Sequence, residues 1–217
     1  MERPYILINF AISGDGKIGT KQKGPSRFTS EADLARLHEI RLRADGILVG
    51  RGTLEADSMT MTLPPALNPK QQPFRFLISR KGSFDLSHKI FHSPGGPLHL
   101  IVTEAAEDID PAPYEALGAV LHHCSLRDFL ALTKNELGVE TLLCEGGGML
   151  VHELFALDVV DEINLTIAGH SLIGGKNSPT ITGLPSQYLP TSSQFRVSHF
   201  EPTPDGELFA TWTRATS

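Results

Sequence analysis

The sequence predicts an α/β protein: a mixed, mostly parallel central sheet with helices on both faces and antiparallel strands at the C-terminal end. Three observations carry this. Short runs rich in Ile, Leu and Val alternate with helix-like stretches from residue 5 to about residue 157, the strand–helix–strand rhythm of parallel sheets. The last strand-like runs are separated by Pro and Gly turns with no helix between the final two, so they pair antiparallel. No repeat, low-complexity tract or long charged run divides the chain, which reads as one domain over 1–217.

Tyr5 to Ile12 opens the chain as a buried strand. Ser30 caps the first helix, with Asp33 at its third position and Leu34, Leu37 and Ile40 as its apolar face. Gly46 to Gly50 is the second strand, bounded by glycine at both ends. The Pro-rich span from Met59 to Pro73 is a surface loop, because the strand pattern resumes after it. Phe74 to Ser79, Leu98 to Thr103, Ala119 to His122 and Glu140 to Cys144 are four further strands. Ser125 with Asp128 caps a helix carrying Phe129, Leu130, Leu132 and Leu137. Another helix runs from about Met149 to Leu157. Asp161 to Ala168, Gln194 to Glu201 and Glu207 to Thr213 complete the strands, the last two joined through Thr203-Pro204-Asp205-Gly206, a hairpin turn.

Charge and composition exclude several functions. Lys plus Arg number 19 against 25 Asp plus Glu, a net charge of −6, so no basic field is present to hold a nucleic-acid backbone. No run approaches the roughly 18 apolar residues of a membrane helix, and the first strand is too short for a signal-peptide core. The expectation is a cytoplasmic enzyme with no nucleic-acid or membrane partner. Cys124 and Cys144 are the only cysteines and have no metal-ligand spacing, so both read as reduced core thiols. His122 and His123 lack a ligand partner and read as strand-end surface residues. Trp212 packs into the sheet. No metal is expected.

Three segments follow strand ends, where open α/β sheets bind ligands. Ser13-Gly14-Asp15-Gly16-Lys17-Ile18-Gly19 offers two opposite charges in a sharp turn, although Gly-Asp-Gly is also common in plain loops. Gly50-Arg51-Gly52-Thr53 opens a short helix whose free N–H groups suit phosphate, with Arg51 able to grip a phosphomonoester and Thr53 to cap or donate. Glu145-Gly146-Gly147-Gly148 lets backbone N–H groups approach a pyrophosphate without side-chain obstruction. The ordinary dinucleotide fingerprint and the phosphate-loop Lys-Ser/Thr pair are both absent, as is a Gly-x-Ser-x-Gly elbow around Ser13.

In this order the segments resemble the pyrimidine reductase family of riboflavin biosynthesis, whose fold is similar to dihydrofolate reductase. The matched stretches are Ser13 to Ile18, Arg43 to Thr53, Asp57, Glu145 to Gly148 and Asp161-Glu162-Ile163. The resemblance runs from about residue 4 to residue 213. It implies NADPH-dependent reduction of a ribosylamino-pyrimidine 5′-phosphate, with hydride transferred to the sugar C1′ and the ribose opened to a ribityl chain. It implies Lys17, Asp57 and Glu145 as catalytic residues, and Asn9, Ser13 and Asp15 as substrate-binding. Gly50, Arg51, Thr53, Ser79, Arg80, Thr103, Gly146, Gly147 and Gly148 would hold the cofactor. A small-molecule substrate and a homodimer are further implications. No zinc deaminase module is present, so the resemblance is to a stand-alone reductase.

The chain departs from that family at Gly14 (usually Leu), at Met59 (usually Pro) and at Gly169 (often Pro). After Met61-Thr62 it reads Leu63-Pro64, where an arginine is expected. Two alternatives stand beside the main reading. One is a related NADPH reductase of a pterin, folate or other small carbonyl or imine, with Asp33 as its acid. The other is a module that binds NADPH without turnover.

Overall fold

The computed structural model describes residues 2–19, 28–57, 59–104, 109–184 and 187–215. In chain order these form β1 (Tyr5–Ser13), α1 (Glu31–Leu42), β2 (Gly46–Gly50), α2 (Arg51–Asp57), β3 (Phe74–Ser79), β4 (Leu98–Val102), α3 (Ala112–Glu115) and β5 (Ala119–His123), followed by α4 (Leu126–Asn135), β6 (Thr141–Cys144), α5 (Gly148–Ala156), β7 (Glu162–Ala168), β8 (Phe195–Pro202) and β9 (Glu207–Arg214). Every strand expected from the sequence is present, with ends displaced by no more than one residue. The short helix α3 and the 3-10 turns Pro65–Leu67 and Lys89–Phe91 carry no apolar periodicity and were not anticipated. Two compact units are distinguished, one of residues 1–5 and 41–143, the other of 6–40 and 144–217.

In the first unit β2, β3, β4 and β5 pair in parallel. All six of the residues Ile47, Leu48, Val49, Phe76, Leu77 and Leu100 are fully buried, the uninterrupted apolar pattern of a covered parallel sheet. Phe129 of α4 meets Phe76 edge-on at 5.1 Å. Ser125 caps α4 as expected, accepting from Asp128 N at 3.2 Å. Two expectations are corrected here. Residues 59–63 are not purely surface, because Met61 and Leu63 are buried while Gln72 pairs with both the N–H and the carbonyl of Leu63. His122 is only partly at the surface: it stacks on buried His99 with Nε2 2.8 Å from its Nδ1.

In the second unit β1 and β7 are parallel, β7 and β9 antiparallel, and β9 and β8 antiparallel. Residues paired in register share a sheet face, and the two faces differ sharply. One carries Asn9, Asn164 and Thr211 in one row, with Glu162, Thr166, Ser13 and Glu207 in others. The opposite face carries Ile163, Trp212 and Val197 in a row, beside a groove of about 840 Å³ also lined by Phe155 and Ile181. Trp212 therefore lines a groove rather than packing wholly into the sheet.

The polar face explains how α1 docks. The apolar face expected for α1 is corrected, since Leu34 is 52% exposed and only Ile40 of the three is buried. Arg36 instead reaches the sheet and donates to the carbonyls of Leu165 at 2.7 Å and Ala210 at 2.9 Å. Its guanidinium also lies 4.8 Å over the Phe209 ring. The expected hairpin is present, closed by Gly206 N to Thr203 O at 3.1 Å with Gly206 at φ 80°.

Candidate active site

Parallel strands deliver their C-terminal ends to one edge, where backbone groups run out of ladder partners. In the first unit β2, β3 and β4 are adjacent, with Gly50 opposite Ile78 and Ser79 opposite Val102. The residues after these ends are thereby gathered. Gly50 leads directly into Arg51 and Thr53 of α2, Arg80 follows Ser79, and Thr103 donates its N–H to Ser79 O at 3.1 Å.

The side chains there differ in availability. Ser79 is buried, its hydroxyl accepting from Gly82 N at 3.2 Å, so it shapes the turn beneath the edge. Arg80 is exposed. Arg51 lies at the surface, donating to Ser83 O at 3.1 Å and facing Glu55 at 3.4 Å. At Gly52 an added Cβ would meet no atom beyond its own helix and chain neighbours within 4 Å among the described residues. The turn is open, and a ligand can approach the backbone. Asp57, the last residue of α2, is exposed at its surface, yet the protein atoms around its carboxyl strip away enough water to push it above the usual aspartate range.

The second unit holds the other candidates. Asn9 lies on β1, four residues before the strand ends at Ser13. Ser13 is buried and its hydroxyl donates to Asp15 Oδ1 at 2.6 Å. Asp15 also accepts from the N–H groups of Ile173 at 3.1 Å and Gly174 at 2.7 Å. These bonds, that from Ser13 first, hold its carboxyl down at about 2, because each favours the charged form. Lys17 places its Nζ 3.5 Å from Ser178 O.

Glu145 follows β6 directly, and Gly147 precedes α5. Gly148 packs against residues 180–183: an added Cβ would lie 3.1 Å from Thr180 O and 3.2 Å from Gly183 Cα. The same stretch of chain, residues 178–183, therefore borders both Lys17 and the start of α5. Apart from Gly169, sequence reasoning did not single out residues 169–183, although the doublet Gly174-Gly175 marks a tight turn there, with φ values of 67° and 84°. The thiols are unpaired: Cys144 is fully buried with its proton affinity pushed up to about 12, while Cys124 is half-buried. Among the described residues no cluster of three or more His, Cys, Asp or Glu side chains forms a metal site. Nor is any helix of the described residues long and apolar enough to cross a membrane.

The model of the RibD C-terminal domain matches residues 4–206. The chain belongs to that family. A relative from Archaeoglobus fulgidus, named 2,5-diamino-6-ribosylamino-4(3H)-pyrimidinone 5′-phosphate reductase, is 32% identical over 193 residues, covering 82% of this chain and 86% of its own. A protein of the same name from Aquifex aeolicus is 31% identical over 191 residues, covering 84% of each. Among solved structures, a pyrimidine reductase-like protein from Corynebacterium diphtheriae superposes with a TM-score of 0.80 at 19% identity, covering 99% of this chain and 93% of that one. The bifunctional deaminase/reductase of Thermotoga maritima gives 0.75 at 24% identity, covering 98% and 57%. These structural likenesses establish the dihydrofolate reductase-like α/β fold within the RibD C-terminal domain family.

Proposed function

We propose that this chain reduces a ribosylamino-pyrimidine 5′-phosphate to its ribitylamino product in riboflavin biosynthesis, with NADPH as the reductant. The observation that carries this reading is the agreement of three relatives, 30–32% identical over more than four fifths of the chain, on one reductase name. A nicotinamide cofactor follows from that chemistry, and the residues present fit it. Gly50, Arg51 and Thr53 would take the phosphates at the open Gly52 turn, with buried Ser79, exposed Arg80 and partly exposed Thr103 at the adenosine end. Gly146, Gly147 and Gly148 would lie under the pyrophosphate and nicotinamide half.

The bound cofactor supplies a hydride. Opening the ribose adds that hydride at C1′ and one proton at the ring oxygen released, so the chain must provide the proton. Lys17 carries three donors and no acceptor, suited to holding sugar oxygens and giving up that proton. Asp57 and Glu145 orient pyrimidine and sugar. The Asn9 amide, which has no hydrogen-bond partner among the described residues, offers a donor and an acceptor to a pyrimidine edge.

The assembly we infer is a homodimer. Val197 and Phe200 on β8 are 61% and 59% exposed beside the apolar groove, and a second copy would cover them. Light scattering should give twice the chain mass, and Val197→Asp with Phe200→Asp should halve it.

The decisive test is loss of NADPH absorbance on adding the deaminated and undeaminated pyrimidine phosphates separately, with dihydrofolate as control. Oxidation with one pyrimidine names the substrate. Oxidation with dihydrofolate alone, or binding of NADPH without oxidation by any of them, overturns the reading.

A further inference from the structure

The loop after β1 and the loop after β7 leave the sheet side by side, since Ser13 and Ala168 are the last register pair of these parallel strands. They are then laced together. Gly14 N donates to Ser171 O at 2.8 Å and Ile18 N to Pro179 O at 3.1 Å. Between these bonds sits a relay. The N–H groups of Ile173 and Gly174 donate to the Asp15 carboxylate, which also accepts from the Ser13 hydroxyl. That hydroxyl oxygen accepts from the N–H of Lys17 at 3.0 Å, and Ser13 N donates to Lys17 O at 2.9 Å.

Close approach depends on residue 14 having no side chain. A Cβ at Gly14 would stand 3.0 Å from Gly169 O and 3.3 Å from Leu172 Cδ2, the first tighter than ordinary packing allows. Both Asp15 oxygens are occupied by donors of the chain itself, and Ser13 is only 1% exposed. Both groups are thus already engaged within the protein before any substrate binds, although Asp15 stands at the surface. Lys17 is the residue they leave projecting, with its amine at Ser178 of the same laced loop.

We propose that Asp15 and Ser13 are positioning residues, which clamp residues 169–180 to the backbone of Lys17 and so set where the Lys17 amine is presented. This rests on the reading of Lys17 given above and reassigns two residues expected to bind substrate. A carboxylate bound by three donors stays ionised well below the ordinary aspartate range, so the clamp does not titrate near neutral pH.

The test uses Asp15→Asn, Ser13→Ala and Ser13→Thr in the full chain, with two readouts. The first is kcat and KM for the pyrimidine phosphate. The second, taken without substrate or cofactor, is the rate at which trinitrobenzenesulfonate labels Lys17, followed by peptide mass spectrometry. Asp15→Asn sets an amide N–H against the donors of Ile173 and Gly174, and Ser13→Ala cuts the relay at a buried residue. Both should lower kcat about tenfold or more, leave KM nearly unchanged and alter Lys17 labelling several-fold, while Ser13→Thr, which keeps the hydroxyl, stays close to the parent. A raised KM with kcat and labelling unchanged makes Asp15 a substrate ligand and overturns the proposal. A lower melting temperature with unchanged labelling makes both residues merely structural and also overturns it. Full turnover by Lys17→Ala would sink the catalytic reading of Lys17 alone, and the labelling rates would still decide the clamp.

Discussion

Buried Glu207 of β9 accepts two hydrogen bonds from Ser30, from its backbone nitrogen at 2.7 Å and from its hydroxyl at 2.6 Å. Ser30 is also the residue that caps α1, its hydroxyl oxygen lying 3.4 Å from Asp33 N. One carboxylate thus ties the start of the helix to the last strand. Since α1 buries little apolar surface, this tie and the Arg36 contacts dominate its attachment. Glu207→Ala should destabilise by about 2–3 kcal/mol, as expected for hydrogen bonds to a buried charge, and should raise amide exchange in α1 first. Unchanged exchange in α1 would mean that Arg36 suffices.

The His99–His122 pair predicts acid sensitivity. Burial first, then charge on His122, lowers the proton affinity of His99 from 6.5 to about 4. Burial lowers that of His122 too, with Glu136 opposing. The folded chain therefore binds fewer protons than the unfolded chain between these values. Stability is full above pH 6.5 and falls as pH drops toward 4, by on the order of 2 kcal/mol. Urea denaturation at about pH 7 and about pH 4.5 should show the loss. His99→Phe, which keeps ring contacts with Phe74 and Phe76, should flatten it.

Asp57 should govern the acid side of the activity profile. Partial desolvation raises its carboxyl above 3.8, so the ionised form, proposed to orient substrate, is lost at a higher pH than for an unperturbed aspartate. Activity then falls as pH drops through that raised value. Asp57→Asn should cost roughly 10²-fold or more in kcat/KM and remove that limb. A variant with an intact acid limb would assign the limb to another group.

Two glycines should respond in opposite ways. Gly52→Val should leave the melting temperature nearly unchanged, because beyond its own helix no described residue lies within 4 Å of the new side chain's root, yet weaken NADPH binding in a fluorescence titration. Gly148→Ala pushes a methyl group against Thr180 O and Gly183, and should cost about 1–2 kcal/mol. Equal stability losses would remove the distinction between an open turn and a packed one.

The strands and the capped helices were legible in the sequence because their signals are local. Buried β-branched runs, Ser-x-x-Asp caps and a Pro-Asp-Gly turn act over a few residues. The candidate residues of the three glycine-containing segments were legible for the same reason, as each sits immediately after a strand. What was misread depends on partners far along the chain. Leu34 looks like a core residue until Arg36 finds carbonyls 129 and 174 residues away. His122 looks exposed until its ring meets His99 on the neighbouring strand.

The order of apolar runs and turns by itself determined the α/β class, the strand ends and the glycine turns placed on them, because backbone propensity and hydrophobic period are properties of short stretches. Only the tertiary structure decided which polar groups are spent inside the protein. The family resemblance implies Ser13 and Asp15 as substrate ligands, and their loop by itself shows no partner for either. Asp15 meets its amide donors 158 and 159 residues further on, and a hydrogen bond across that separation exists only once β1 and β7 lie side by side.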